Sequence, residues 1–158
     1  MTSIKIIAVL VENRPGVLFK VANMIRRRTF NIESITVGTI DHKDISRMTI
    51  TLFADDPIVE QLVKQLSKLI DVIEAKVFTP EEVIARELAL IRLSPDVNVR
   101  TDVNDIHELR VVESSSESLT LELIGGPGVV DEFLRKIGES KVQSVARTGL
   151  TALPKGSS

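Results

Sequence analysis

The chain has no cysteine, tryptophan or tyrosine. The first absence excludes disulfides, thiolate catalysis and cysteine-held metals, and fits a reducing compartment. Aromatic stacking platforms are scarce, because the five phenylalanines are scattered at positions 19, 30, 53, 78 and 133. Neither charge dominates: the net charge of −2 gives no electrostatic footprint for nucleic acid or an anionic membrane. No apolar run resembles a spanning segment, since Ile4–Val11 is far too short and runs directly into a turn. The expected address is the cytoplasm. A nucleophile elbow (Gly-x-Ser-x-Gly) and a phosphate loop ending in Gly-Lys-Ser/Thr are both missing. His42 and His107 have no neighbouring ligand spacing and read as surface histidines rather than a metal site.

What is present is a pattern of short strands and amphipathic helices. With 158 residues, 43% of them apolar, the chain can hold one ordinary domain or two small ones. Residues 4–11 form a β-branched run suited to a strand buried on both faces. Asn13-Arg14-Pro15-Gly16 breaks it, and Val17, Leu18, Val21, Ala22 and Ile25 follow at helical spacing. Arg26-Arg27-Arg28 closes that helix with charges that suit its negative end. A second strand spans Ile32–Val37. In a third, Met48, Ile50 and Leu52 alternate with Arg47, Thr49 and Thr51. Asp56 is read as the cap of a helix whose apolar face is Val59, Leu62, Val63, Leu66, Leu69 and Ile70. Val72–Phe78 is a fourth strand, completing the order βαββαβ.

Thr79-Pro80-Glu81-Glu82 marks a joint, beyond which the same order recurs. Strands are expected at Arg86–Leu93, Leu109–Glu113, Leu119–Ile124 and Val142–Ala146. Helices are expected over residues 96–107 and from Val129 to Ile137. The fold class is therefore α+β, with two ferredoxin-like βαββαβ domains: 1–78, a linker 79–85, and 86–158 ending in a frayed tail. In each, two helices lie on one face of an antiparallel sheet, and the other face must be polar or covered. Units this small gain stability by pairing, so a two-fold homodimer is expected.

Two stretches point to a ligand. At Asn13–Gly16 a helix N-terminus offers unpaired N–H groups and partial positive charge, and Gly16 permits close approach to the backbone. Asn31, just before Ile32, supplies a second side-chain amide. A carboxylate held at Gly16, Val17 and Leu18 and an ammonium held by Asn13 and Asn31 together describe a free amino acid. The plain alternative is that Asn, Pro and Gly serve an ordinary turn. Gly125-Gly126-Pro127-Gly128 reads as a strand-to-helix turn rather than a phosphate cradle, and Asp41, Asp44, Asp55 and Asp56 as loop and cap residues.

The segments Val11–Leu18, Asn31–Gly38, Ile45–Ile50, Gln65–Val72, Arg86–Ile91 and Val145–Gly149 resemble, in that order, the small regulatory subunit of acetohydroxyacid synthase (acetolactate synthase). The resemblance implies that residues 1–78 form an ACT domain, an amino-acid sensor. It also implies no catalysis by this chain. The chain would activate a separate catalytic large subunit, which is where thiamine diphosphate, Mg and FAD are expected, with no cofactor here. Feedback inhibition by valine, or by leucine or isoleucine, would follow from an effector bound between two ACT domains. On that pattern Asn13, Gly16, Val17 and Leu18 of one chain face Asn31 and Ile32 of the other. Phe19 stands where the family often has a small or polar residue. The alternative is a free-standing amino-acid sensor acting on another partner. An RNA-binding βαββαβ module would display strand aromatics and a basic surface, which this chain lacks.

Overall fold

A computed structural model describes residues 2–28, 30–40, 44–99 and 102–156. The readings of His42, Asp41 and the last two tail residues fall outside them. The chain divides into two compact units, residues 1–84 with 150–158, and residues 85–149. The expected second domain thus loses its last residues to the first unit.

In the first unit, β1 (Ser3–Glu12), α1 (Val17–Arg26), β2 (Ile32–Thr39), β3 (Ile45–Ala54), α2 (Asp56–Leu66) and β4 (Val72–Phe78) follow in the expected order. The strands form an antiparallel sheet ordered β2-β3-β1-β4. Strand alternation sends Ile7, Val9 and Val11 of β1 and Met48, Ile50 and Leu52 of β3 to one face. There they pack against Val17, Val21 and Ile25 of α1 and Val59, Leu62 and Leu66 of α2. The cap of α2 is Asp55, one residue before the expected Asp56. Its carboxylate accepts the Thr2 hydroxyl, 3.0 Å away, and is thereby held below the usual value of 3.8. Asp56, in the first turn, instead pairs with the buried Lys5.

On the opposite face, registers place Ser34, Thr51 and Ile6 in one row and Thr36, Thr49 and Ala8 in the next. Thr49 and Thr51 are buried there. The returning C-terminal segment supplies part of the explanation. The Leu150 N–H donates to Ser34 Oγ (3.3 Å), Thr36 Oγ1 donates to the Leu150 carbonyl (3.1 Å), and Arg47 Nη2 donates to the Ala152 carbonyl (3.1 Å). Leu150 and Ala152 are buried. This face is therefore both hydroxyl-lined and covered, and the covering segment pairs with Ser34, Thr36 and Arg47 Nη2.

The expected linker is ordered. Pro80–Glu82 is a 3-10 turn closed by a capping box in which the Thr79 N–H donates to Glu82 Oε2 (2.8 Å). It leads directly into β5 (Val83–Leu93), within which the boundary between the units falls. A last strand, β9 (Thr151–Pro154), pairs with β5, and the Lys155 N–H reaches the Glu82 carbonyl at 2.9 Å. β6 is Ile106–Ser114, β7 is Leu119–Gly125, α3 is Val129–Ile137 and β8 is Val142–Arg147. Their sheet order, β6-β7-β5-β8, is the ferredoxin-like order again.

One expected element differs. Among the described residues between β5 and β6 there is no helix; residues 96–99 and 102–107 form turns, irregular chain and the start of β6. Asp, Asn and β-branched Val dominate that stretch and favour turns over helix interiors. Val97, Val99 and Val103 nevertheless pack onto the core of the second unit, against Ile91, Leu121, Val130 and Phe133 among others. A loop does the covering that a helix does in the first unit.

Candidate functional site

The turn between β1 and α1 is held by backbone bonds at both flanks. The Asn13 N–H donates to the Asp44 carbonyl and the Glu12 N–H to the Asp71 carbonyl, each at 2.8 Å. Gly16 then takes φ 85°, ψ −9°, a left-handed conformation that disfavours any side chain, and becomes the N-cap of α1. Among the described residues no side chain caps this helix, and its first turn contains no acidic residue. The Val17 N–H closes the turn on the Arg14 carbonyl at 3.3 Å, and among the described residues no side-chain carboxylate caps the positive end of the helix dipole behind it. Val17 is buried and fixes the helix to the sheet, whereas Asn13, Gly16 and Leu18 are exposed. A Cβ built on Gly16 would have nothing within 4 Å, so space lies open beside the backbone.

The Pro-Gly-Val sequence recurs at Pro127-Gly128-Val129, with nearly the same backbone: Gly128 has φ 81°, ψ −7°. Gly128 is as open as Gly16, and the second turn differs in its charge. Asp131 and Glu132 supply the first turn of α3 with negative charge, and a Cβ on Gly126 would run into the Asp105 carboxylate. Gly125 and Gly126 are thus packing glycines, in accord with the strand-to-helix reading. His107 lies at the surface beside Asp105, 3.1 Å from its carboxylate. Among the described residues no cluster of His, Asp and Glu is arranged to hold a metal ion.

Asn31 and Ile32 sit elsewhere. The registers place Ile32 level with Leu52, and Leu52 level with Lys5, near the start of β1. From Lys5 to Asn13 is about 25 Å of strand at roughly 3.3 Å per residue. One chain therefore brings Asn13, Gly16, Val17 and Leu18 together and leaves Asn31 and Ile32 at the other end of the sheet. β2 is, however, an edge strand.

Sequence reasoning missed the residue that anchors the turn. Asp71, between α2 and β4, has a carboxylate only 6% exposed that meets Lys20 Nζ of α1 at 2.9 Å and Arg14 Nη1 of the turn at 3.8 Å. Nothing local marks it, because Lys20 and Asp71 stand 51 positions apart.

An antiparallel sheet ordered β2-β3-β1-β4, with both helices on one face, is the ferredoxin-like arrangement of an ACT domain. Residues 7–74 match the family model described as the small-subunit-like ACT domain of AHAS, and residues 86–156 match that of the small subunit of acetolactate synthase. A probable acetolactate synthase small subunit of Archaeoglobus fulgidus is 44% identical over 95% of this chain and 96% of its own length. The acetolactate synthase small subunit of Mycobacterium bovis is 42% identical over 95% of this chain and 91% of its own. A crystal structure of the small subunit from Thermotoga maritima superposes with a TM-score of 0.80 at 31% identity, covering 99% of both chains. The chain belongs to the acetolactate synthase small-subunit family.

Proposed function

We propose that this chain is the non-catalytic regulatory subunit of an acetolactate synthase: it activates a separate catalytic large subunit and transmits feedback inhibition by valine, or by leucine or isoleucine. The observation that carries the effector site is the uncapped, acid-free start of α1 behind Gly16. The effector carboxylate lies on the N–H groups of Gly16, Val17 and Leu18, and the side-chain oxygens of Asn13 and Asn31 take its ammonium. The branched side chain rests against Ile32. Each charge-assisted hydrogen bond contributes about 1.5–3 kcal/mol, and burial of a three-carbon side chain adds about 1.5–2 kcal/mol. One methylene discriminates by only about 1–3 kcal/mol, so related branched side chains compete for such a pocket.

Two copies complete the site. Antiparallel pairing of β2 with its own copy across a two-fold axis inverts the sheet ends, bringing Asn31 and Ile32 of one chain to the level of the glycine turn of the other. The exposed apolar side chains Leu18, Phe19, Val37 and Ile40, on or beside α1 and β2, support self-association. Phe19, 73% exposed, offers a large apolar surface to such a neighbour.

Reconstitution tests the reading. The purified chain is mixed with a candidate catalytic subunit and acetolactate formation is followed with and without each branched-chain amino acid. Activation together with effector-dependent inhibition is expected, and Gly16→Asp is expected to abolish the inhibition while keeping most of the activation, because a carboxylate then occupies the effector's anion site. Undiminished valine binding by that variant in calorimetry counts against the assigned site. Valine binding without any effect on the synthase favours a free-standing sensor for another partner.

A further inference from the structure

We propose that Asp71 is a positioning residue for the effector site, setting the conformation of the glycine turn without touching the effector; this rests on the effector reading above. Three contacts converge on it from the segment that forms the site. Its carbonyl accepts the Glu12 N–H at 2.8 Å, at the last residue of β1. Its Oδ2 meets Lys20 Nζ at 2.9 Å, one turn into α1, and its Oδ1 lies 3.8 Å from Arg14 Nη1, inside the turn. Arg14 is itself steadied by Glu12 Oε2 at 2.9 Å. The strand end, the turn and the helix start are thus tied to one point on the α2–β4 connection.

Burial makes the arrangement demanding. At 6% exposure the Asp71 carboxylate is held away from water, so it depends on its cationic partners, and the chain is constrained to keep Arg14 and Lys20 within reach. Those two residues bracket Pro15–Phe19, the stretch that holds Gly16, Val17 and Leu18, whose N–H groups are to meet the effector carboxylate. Charge balance supports the same role. Glu12 and Asp71 offset Arg14 and Lys20, leaving the helix start as the local source of positive potential.

The sign of one substitution separates positioning from simple electrostatics. Asp71→Asn removes a negative charge close to an anion site, which on Coulomb grounds tightens effector binding. If Asp71 instead holds the turn, the same change loosens binding. A turn that is competent in roughly one molecule in ten raises the apparent Kd about tenfold.

The experiment is calorimetric titration of valine, leucine and isoleucine into the full-length native chain, Asp71→Asn, Lys20→Gln and the double variant. Amide hydrogen exchange is read in parallel without ligand. The expected result is weaker binding by about tenfold in each single variant, with no further loss in the double. Asn13 and Lys20 amides, which donate to the Asp44 and Gly16 carbonyls, exchange faster while those of β1 and β3 stay protected. Lys20 is more than half exposed, so Lys20→Gln carries the test should Asp71→Asn not fold, and there faster amide exchange in the turn decides, because loss of a cation weakens anion binding on Coulomb grounds alone. Native or tighter affinity with unchanged exchange in the turn overturns the inference. Native affinity in both variants, alongside lost binding in Gly16→Asp, overturns it while the effector site stands. A native chain that binds none of the three amino acids overturns both.

Discussion

The Arg147 guanidinium meets the Glu87 carboxylate through two parallel bonds, Nε to Oε1 at 2.8 Å and Nη2 to Oε2 at 3.0 Å. Its remaining arm reaches Asp131 Oδ1 at 2.7 Å, at the start of α3. Glu87 is buried, and the hydrogen bond to it is the largest influence holding the Arg147 pKa above its usual value, against the opposing effect of burial. A raised folded-state pKa stabilises fully below the unfolded value and is lost only as pH climbs through the folded one, so this fork is constant across the neutral range. It ties β5, β8 and α3 into one unit.

Arg147→Ala leaves a buried carboxylate without its partner. Loss of about 2–3 kcal/mol is expected, below the range for fully buried pairs because Arg147 is partly exposed to solvent. Arg147→Lys should recover only part of this, since an ammonium cannot make the fork. Urea denaturation monitored on the second unit measures both.

Gly125→Ala and Gly126→Ala are expected to destabilise in that order. The added methyl at 125 meets Val129 Cβ at 2.8 Å, an atom fixed in the first turn of α3, whereas at 126 it meets an Asp105 side chain able to rotate away. Overpacking of the first kind costs about 1–3 kcal/mol. Equal or reversed losses in thermal unfolding would show that α3 yields more easily than the Asp105 loop.

Truncation after Gly149 removes Leu150 and Ala152, both buried, together with the carbonyls that receive Thr36 and Arg47. Arg47 Nε is already buried without a hydrogen-bond partner among the described residues, so the guanidinium loses its acceptor at Ala152 as well. Destabilisation of the first unit by about 2–3 kcal/mol is expected from the lost apolar burial. Amide exchange at β2 and β3 should accelerate more than at β7.

Acid sensitivity has a small, assignable component at Asp96. The hydrogen bond from Lys141 Nζ, 3.2 Å away, holds its carboxyl below the usual 3.8. A depressed folded-state pKa stabilises above the unfolded value and is lost as pH falls through the folded one. The Tm difference between the native chain and Asp96→Asn should therefore be present at neutral pH and shrink as the pH drops below 3.8. A difference that stays constant in calorimetric scans would remove Asp96 from this role.

Most strands and helices were legible because their apolar positions repeat with period two or near four, and because Pro-Gly turns punctuate them. The 96–107 segment misled for a physical reason. Val97, Val99 and Val103 are apolar enough to cover a core, yet the intervening Asp and Asn prefer turns. Within the linker, the capping box of Thr79 and Glu82 was written in the sequence as Thr-x-x-Glu. At the site, Gly16 was readable because its backbone needs a left-handed turn, while Asp71 was not.

By itself the amino-acid order determined which segments become strands or helices, where the glycine turn falls and which chemistries are excluded, since these depend on neighbours a few positions apart. Only the tertiary structure decided that Asp71 grips Arg14 and Lys20, that residues 150–154 close the hydroxyl face of the first sheet, and that Asn31 stands at the far end from Asn13. Each is a meeting of residues distant along the chain, set by strand register and the burial of charge, which no short-range pattern encodes.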